Sequence, residues 1–357
     1  MKETVVQKKV QLFQCNWAAQ KNWIIGIILV VLIIMIAAIS ISLGEYNIPL
    51  AQIRDLFISQ ITQRPLDAAD QKAATVLFLI RIPRIILALL VGAALSASGA
   101  AYQGVFKNPM VSPDILGVAG GAGVGAAIAL LLGFPTIGVH LLSFFFGIGA
   151  VSLVLALSKL VGKSQGTLLI MVLSGVVISS IFSALTSLIK YLADADDKLP
   201  EITFWLMGSF ARSGSYQNIL IMGLVLIIGG IPLLLFRWQM NVLTFGDEEA
   251  QSLGIDVRKT RLAIICCASL LTASSVCLCG AIGWVGLIMP HITRMLVGPN
   301  YKVLLPITLL SGGLFMLIVD NVARLIVPGE LPIGILTALI GAPLFIYMLF
   351  KGRRDWS

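Results

Sequence analysis

The sequence predicts an all-α polytopic membrane protein with about ten transmembrane helices. Three observations lead there. Of 357 residues, 58% are hydrophobic and only 12% are charged, about half the charge of a soluble domain. Apolar runs near the length that crosses a bilayer core, about 20 helical residues, recur between short charged or Pro/Gly-rich breaks. These runs are continuously apolar rather than alternating with period 2, which excludes a closed β-barrel.

Span one covers 23–43, after a 22-residue tail; its apolar run exceeds a signal core and is a retained anchor. Span two, 82–103, opens on Pro83, suited to a first helical turn, between Arg81 and Arg84. Span three, 115–132, repeats Gly117, Gly121 and Gly125 every four residues, one smooth face for close helix packing. Span four is 139–157. Span five, 168–192, spaces Ser179, Ser183, Thr186 and Lys190 by four, three and four, on one helical face. Such a stripe suits a water-filled path. The other reading has the hydroxyls bonding their own helix carbonyls and Lys190 reaching for the headgroups.

Span six, 219–236, is followed by the most polar stretch of the C-terminal two thirds, 244–261. Within it, GDEEAQSLG reads as a short helix. Asp247 is placed to cap it, the first-turn acids Glu248 and Glu249 suit the positive end of its dipole, and Gly254 closes it after Leu253. Asp256 then caps the entry to span seven, 262–279. Span eight, 284–296, has 13 residues and is too short to cross unaided. In span nine, 304–326, Asp320 stands beside Asn321 and Arg324 as a candidate intramembrane ion pair. Span ten is 333–350.

Lys and Arg near span ends are held in the cytoplasm. With the N-terminus inside and ten alternating spans, sixteen of the 25 basic residues but only seven of the 17 acids fall inside. Both termini are therefore assigned to the cytoplasm. The +8 net charge reports topology and anionic lipid headgroups, not nucleic acid.

Several motifs are declined. GVAGGAGVG from Gly117 opens a membrane helix with no βαβ unit around it, and GKS at Gly162 lacks the glycine a phosphate loop needs five residues earlier. No nucleotide site is expected in this chain. His140 and His291 stand apart from each other and from acids, and the five cysteines show neither a disulfide framework nor zinc spacing. Cys277 and Cys279 read as packing residues. No metal site is expected. A secondary transporter would need a midmembrane coupling-ion site, and no acid-rich cluster lies mid-span.

Five blocks resemble the FecCD permeases: RIPRIILALLVGAALSASGAAYQGVFKNPMVSPDILGVAGGAGVG (81–125), FWLMGSF (204–210), GDEEAQSLGI (246–255), GAIGWVGLIMPHITR (280–294) and ELPIGILTALIGAPLFIYML (330–349). They lie in order across about 75–352. The resemblance implies a type II ABC importer permease for iron–siderophore complexes, haem, vitamin B12 or oxyanions such as molybdate. It implies a homodimer served by two ATPase subunits, which use ATP and Mg, and by an extracytoplasmic binding protein. No cofactor is implied for this chain.

Carried onto this sequence, the resemblance makes Asp247, Glu248, Glu249, Leu253 and Gly254 the ATPase-coupling residues. Arg81, Arg84 and Arg324 become docking residues for acids of the binding protein. Span five becomes path lining, and Ser164, Gln165 or Thr167 lies where the family has its cytoplasmic gate. The domain reading is a cytoplasmic tail at 1–22, one permease domain at 23–352 with 237–261 as its coupling segment, and a second tail at 353–357. The place is the bacterial or archaeal cytoplasmic membrane.

Overall fold

An apolar segment in lipid can satisfy its backbone groups only within itself, so each span folds as a helix. The computed structural model describes residues 2–44, 46, 48–63, 66–161, 167–327 and 329–352. Among these are sixteen α-helices, two π-helical turns and no strand. In order they are α1 (Lys2–Ser42), α2 (Leu50–Thr62), α3 (Ala68–Ala74), a π turn (Thr75–Arg81), α4 (Ile82–Val105), α5 (Val118–Leu131), α6 (Thr136–Val161), α7 (Thr167–Leu192), α8 (Lys198–Leu206), α9 (Tyr216–Val225), a second π turn (Leu226–Gly230), α10 (Ile231–Leu235), α11 (Arg237–Phe245), α12 (Asp247–Ser252), α13 (Val257–Cys279), α14 (Val285–Val297), α15 (Tyr301–Ile326) and α16 (Ile333–Gly352).

Among the described residues, seven stretches are long and apolar enough to cross a membrane: Gln20–Ser42, Asp70–Val105, Thr136–Val161, Leu168–Leu192, Tyr216–Leu235, Val257–Cys279 and Tyr301–Ile326. The shorter apolar helices Val118–Leu131, Val285–Val297 and Ile333–Met348 complete the ten. Three features lie outside the sequence reading. The expected tail at 1–22 is helical from Lys2 and continuous with span one. Helices α2 and α3 fill the link between spans one and two, and α8 fills the link between five and six.

Span two also starts earlier than Pro83 suggests, because α3, the π turn and α4 form one continuous helix. A proline inside a helix removes an N–H and crowds the carbonyl four residues back. The wide turn relieves both effects. Ile82 N bonds Leu77 O, five residues back, so the carbonyl stranded by Pro83 is that of Phe78. The Tyr216 hydroxyl takes it, at 2.8 Å. Pro232 is preceded in the same way, by the second π turn, where Ile231 N bonds Leu226 O.

The centre of the bundle is α4, buried at nearly every position from Pro83 to Val105. Its small residues bring backbones together, the packing that serves where lipid removes most of the hydrophobic drive. A Cβ on Gly99 would lie 1.7 Å from Gly286 O of α14, and one on Gly92 would lie 2.3 Å from Gly312 O of α15. Hydroxyls join the same faces: Ser98 Oγ donates to Ala268 O (2.8 Å), and the Tyr102 hydroxyl meets Ser269 Oγ (2.6 Å). On α5, Gly121 and Gly125 seat α6, where added Cβ atoms would lie 2.6 Å from Phe146 O and 2.4 Å from Leu142 O. Gly117 serves differently. It precedes α5 at φ +76° and faces Ser179 of α7.

At the end of the bundle where α4 begins, buried charges hold four segments together. Arg84 meets Asp320 (Nη2–Oδ1 2.8 Å), the two being 4% and 0% exposed, and donates from Nη1 to both oxygens of Glu330 (2.7 and 2.8 Å). Arg324 lies 3.5 Å from Asp320 and donates to Ser40 Oγ of α1 and to Asn321 Oδ1, each at 2.6 Å. Arg81 closes the end of α1 by donating to the carbonyls of Ile41 (2.6 Å), Ser42 (3.1 Å) and Tyr46.

Removing one member of a buried pair strands the other, at a cost of about 3–5 kcal/mol, whereas removing both is far milder. Asp320→Ala should therefore lower the thermal midpoint in detergent, and Arg84→Ala with Asp320→Ala should lose less than the sum of the single changes. Strict additivity in that cycle would show that the pair does not pin α4 to α15.

Candidate functional site

The polar segment folds as a knob at the end where α4 finishes. Gly246, at φ +149°, separates α11 from α12, and a Cβ there would collide with the Glu249 carboxylate. Helix α12 closes in the manner foreseen. Gly254 is left-handed at φ +81°, its N–H bonds Gln251 O (2.9 Å), and Ile255 N bonds Ala250 O (3.0 Å), the paired bonds of a Schellman ending. Asp256 caps α13 by accepting from Lys259 N (3.1 Å).

Asp247 departs from its expected part. Gly246 is the cap residue, and Asp247 is the first residue of α12. Its carboxylate is held by Arg261, with Nη1–Oδ2 at 2.8 Å and Nη2–Oδ1 at 2.5 Å, while Lys107 stands 3.4 Å away. A bidentate guanidinium outcompetes a backbone N–H for the same oxygens. What α12 offers outward is then Glu248 and Glu249, exposed and without an ion pair among the described residues, with Leu253 58% and Phe245 77% exposed. Neighbouring acids and large apolar side chains left in the open suit a protein partner.

The three arginines are brought together, but not as free docking groups. They line a cavity of about 180 Å³ with Gly44, Tyr46 and Glu330. Their guanidinium groups are turned inward to carbonyls and carboxylates of the same chain, with Arg81 and Arg84 each 4% exposed and Arg324 9% exposed. The sequence reading gave Arg81 and Arg84 the same docking role. Arg81 instead serves the end of α1 and Arg84 the acids of α15 and Glu330. Buried arginine takes whatever acceptors lie within reach, since an unpaired charge there is costly. Glu330, Lys107 and Arg261 were missed, because their partners lie 246, 140 and 14 residues away.

On α7 the two open readings divide by residue. Ser180 and Ser187 donate to carbonyls four residues back, at 2.9 and 3.0 Å. The hydroxyls of Ser179, Ser183 and Thr186 make no hydrogen bond among the described residues, and Lys190 makes no ion pair there. Ser183 is exposed; Ser179, Thr186 and Lys190 are half-buried. Around them Leu173, Val176, Val177 and Ile181 are each more than half exposed, so most of α7 lacks a covering within the chain. Ser164 and Gln165 lie outside the described residues, and Thr167 is the first residue of α7. His140 and His291 remain apart, and no group of three or more metal-ligating side chains occurs among the described residues.

Arg261 holds the Asp247 carboxyl below its ordinary range, chiefly by hydrogen bonding and then by charge, with Lys107 adding to it. A depressed folded value means the stabilisation is present above the unfolded carboxylate pKa and is lost as pH falls through the folded one. The α12–α13 tether should thus be unchanged between pH 7 and pH 5, whereas Asp247→Asn should loosen it at both. Hydrogen exchange over 247–256, corrected for intrinsic rates, should rise several-fold in the variant; a wild-type rise at pH 5 would contradict the assignment.

The sequence model of the FecCD transport family matches residues 29–351. The molybdate import system permease protein MolB of Haemophilus influenzae is 42% identical over 91% of this chain and 95% of its own length. A probable iron chelatin transport system permease protein of Helicobacter pylori is 39% identical over 92% and 96%. A solved inward-facing ABC transporter of metal-chelate type superposes with a TM-score of 0.79 at 40% identity, covering 92% of this chain and 99% of the other. The chain, a multi-pass membrane permease of an ABC importer, belongs to the FecCD transport family.

Proposed function

We propose that this chain is one of two identical permease subunits importing a metal chelate, first of all an iron–siderophore complex. Two separate ATPase subunits would drive it and an extracytoplasmic binding protein would load it. The observation that carries the reading is the stripe of Ser179, Ser183, Thr186 and Lys190, whose side chains have no partner among the described residues, on a helix mostly apolar and mostly uncovered. A second α7 facing the first gives a hydrated solute a path between two copies. Relatives named for iron chelatin and for metal chelates support the cargo. Molybdate is the second reading, favoured by the MolB relative and by the cationic end of the stripe. Haem and cobalamin belong to the same class by resemblance.

The mechanism is alternating access without covalent chemistry in this chain. ATP and Mg act on the partner ATPase and no cofactor falls to the permease. Helix α4 separates the arginine cluster from α12 by about 1.5 Å per residue, roughly 30 Å in all, the thickness of a bilayer core. We assign the α12 end and both termini to the cytoplasm. There Glu248, Glu249 and Leu253 would seat in the ATPase, with Asp247 and Gly254 fixing the knob. At the other end, acids of the binding protein would compete with Glu330 for Arg84, in the cavity that Arg81 and Arg324 also line.

In liposomes holding permease, ATPase and binding protein, Gly254→Val forces a β-branched residue into the left-handed region, at about 1–2 kcal/mol or more. It should uncouple ATP hydrolysis from uptake while the permease still inserts. With the native cysteines replaced, Ser183→Cys should be arrested by a hydrophilic thiol reagent and Val177→Cys should not. Radioactive iron chelate, rather than molybdate, should accumulate. Molybdate uptake alone would install the second reading, and equal reactivity at both cysteines would remove α7 from the path.

Docking has a separate test. Glu330→Gln removes one charge from Arg84 and leaves Asp320 in place, so binding-protein association should speed several-fold at low salt and converge at high salt. An unchanged association rate would leave the cluster a structural pin alone.

A further inference from the structure

Near α12 lies a cavity of about 1020 Å³, bounded by the end of α4, the 106–110 turn, α11, the second half of α14, the start of α15 and α16. Transport as described above leaves it unused. Two basic side chains stand in its wall, Lys107 and Arg294, with His291 of α14, and no acid among the described residues lines it. Lys107 shares Asp247 with Arg261, whereas Arg294 has no carboxylate partner among the described residues.

The rest of the wall is mostly apolar, including Phe345 and Met348 of α16 and Met110, and the neighbours Met295 and Leu296 are exposed. One polar group points to more than a simple anion. Gln103 is 2% exposed, and its Nε2 donates to Leu287 O (3.1 Å), which turns the amide so that Oε1 is left without a partner. A buried acceptor left bare asks for a donor.

We propose that this cavity holds an anionic glycerophospholipid whose headgroup carries hydroxyls, of the phosphatidylglycerol class. The phosphate sits between Arg294 and Lys107, a headgroup hydroxyl donates to Gln103, and an acyl chain runs along Phe345 and Met348. Basic pockets between membrane helices at the cytoplasmic face hold such headgroups, and juxtamembrane cations draw anionic lipid. A soluble anion has no use for the apolar wall, and a zwitterionic lipid brings no net charge to meet the cations. The inference rests on the membrane-permease assignment and on the α12 end facing the cytoplasm, but not on the cargo, the path or the docking assigned above.

The test uses the full-length permease, stripped of lipid in mild detergent and re-equilibrated with equal phosphatidylglycerol and phosphatidylcholine, with bound lipid counted by native mass spectrometry. Wild type should keep phosphatidylglycerol in preference, near one per chain. Arg294→Gln should lower retention roughly tenfold. Met348→Trp, which fills the cavity without touching charge, should lower it as well, with the thermal midpoint of each variant showing that it folds. Equal retention of the two lipids, or wild-type retention in both variants, overturns the proposal. So does displacement by millimolar glycerol phosphate, which makes a free anion the ligand, or by the ATPase subunit, which makes the cavity part of that interface. Coupling of Gly254→Val and reactivity of Ser183→Cys are read independently and stand or fall apart from this result.

Discussion

Helices in lipid gain little by hiding apolar side chains from one another, because the surroundings are as apolar as the neighbour. The bundle therefore depends on how closely backbones can approach. Helix α4 carries this constraint: at Gly92 and Gly99 it meets α15 and α14 at distances that leave no room for a methyl group. Close approach multiplies dispersion contacts and brings hydroxyls such as Ser98 and Tyr102 within reach of facing groups. The long apolar side chains lie mainly outside, on α1 and α7, whose apolar stretches are scarcely buried, whereas most of α13 is buried. The inner helices hold the shape, and the outer ones are free to meet lipid or a second copy.

Small residues alone do not choose a register, since a glycine face can slide along another. The charges at the head of α4 add that choice. Arg84 reaches Asp320 and Glu330 at once, and Arg324 ties the same acid to Ser40 of α1. Desolvating these groups is costly, so the cluster is better understood as specifying one alignment than as a source of net stability. At the other end of α4 the pattern is repeated in a wetter setting, where Lys107 and Arg261 share Asp247 and fix α12 against α13. One helix thus links a rim of buried charge to a knob that leaves its acids in the open.

Much of this was legible in the sequence. The ten apolar segments, the left-handed Gly254, the Asp256 cap and the packing role of Gly121 and Gly125 follow from local rules that need no knowledge of distant neighbours. What was not legible shares a cause. The Asp247 side chain and the three arginines have their partners chosen by tertiary contact, and charge at a span end looks the same in sequence whether it faces water or a carboxylate. The start of span two was missed because Pro83 is an excellent first-turn residue, and only the wide turn ahead of it lets the helix run through. Helices α2, α3 and α8 were missed because their helical stretches are short and mixed in polarity. On α7, spacing showed the stripe, but only the structure separates Ser183 from its back-bonded neighbour Ser187.

The wide turn in span two ties together two positions far apart in the chain. With proline at 83 the Phe78 carbonyl has no donor in its own helix, and the phenol of Tyr216, at the first turn of α9, supplies one. A bare carbonyl in hydrocarbon is expensive. The two residues therefore form a covarying pair across the chain: relatives with another residue at the place of Pro83 have an N–H for that carbonyl and no need of a hydroxyl at 216, while relatives keeping the proline should keep a donor there.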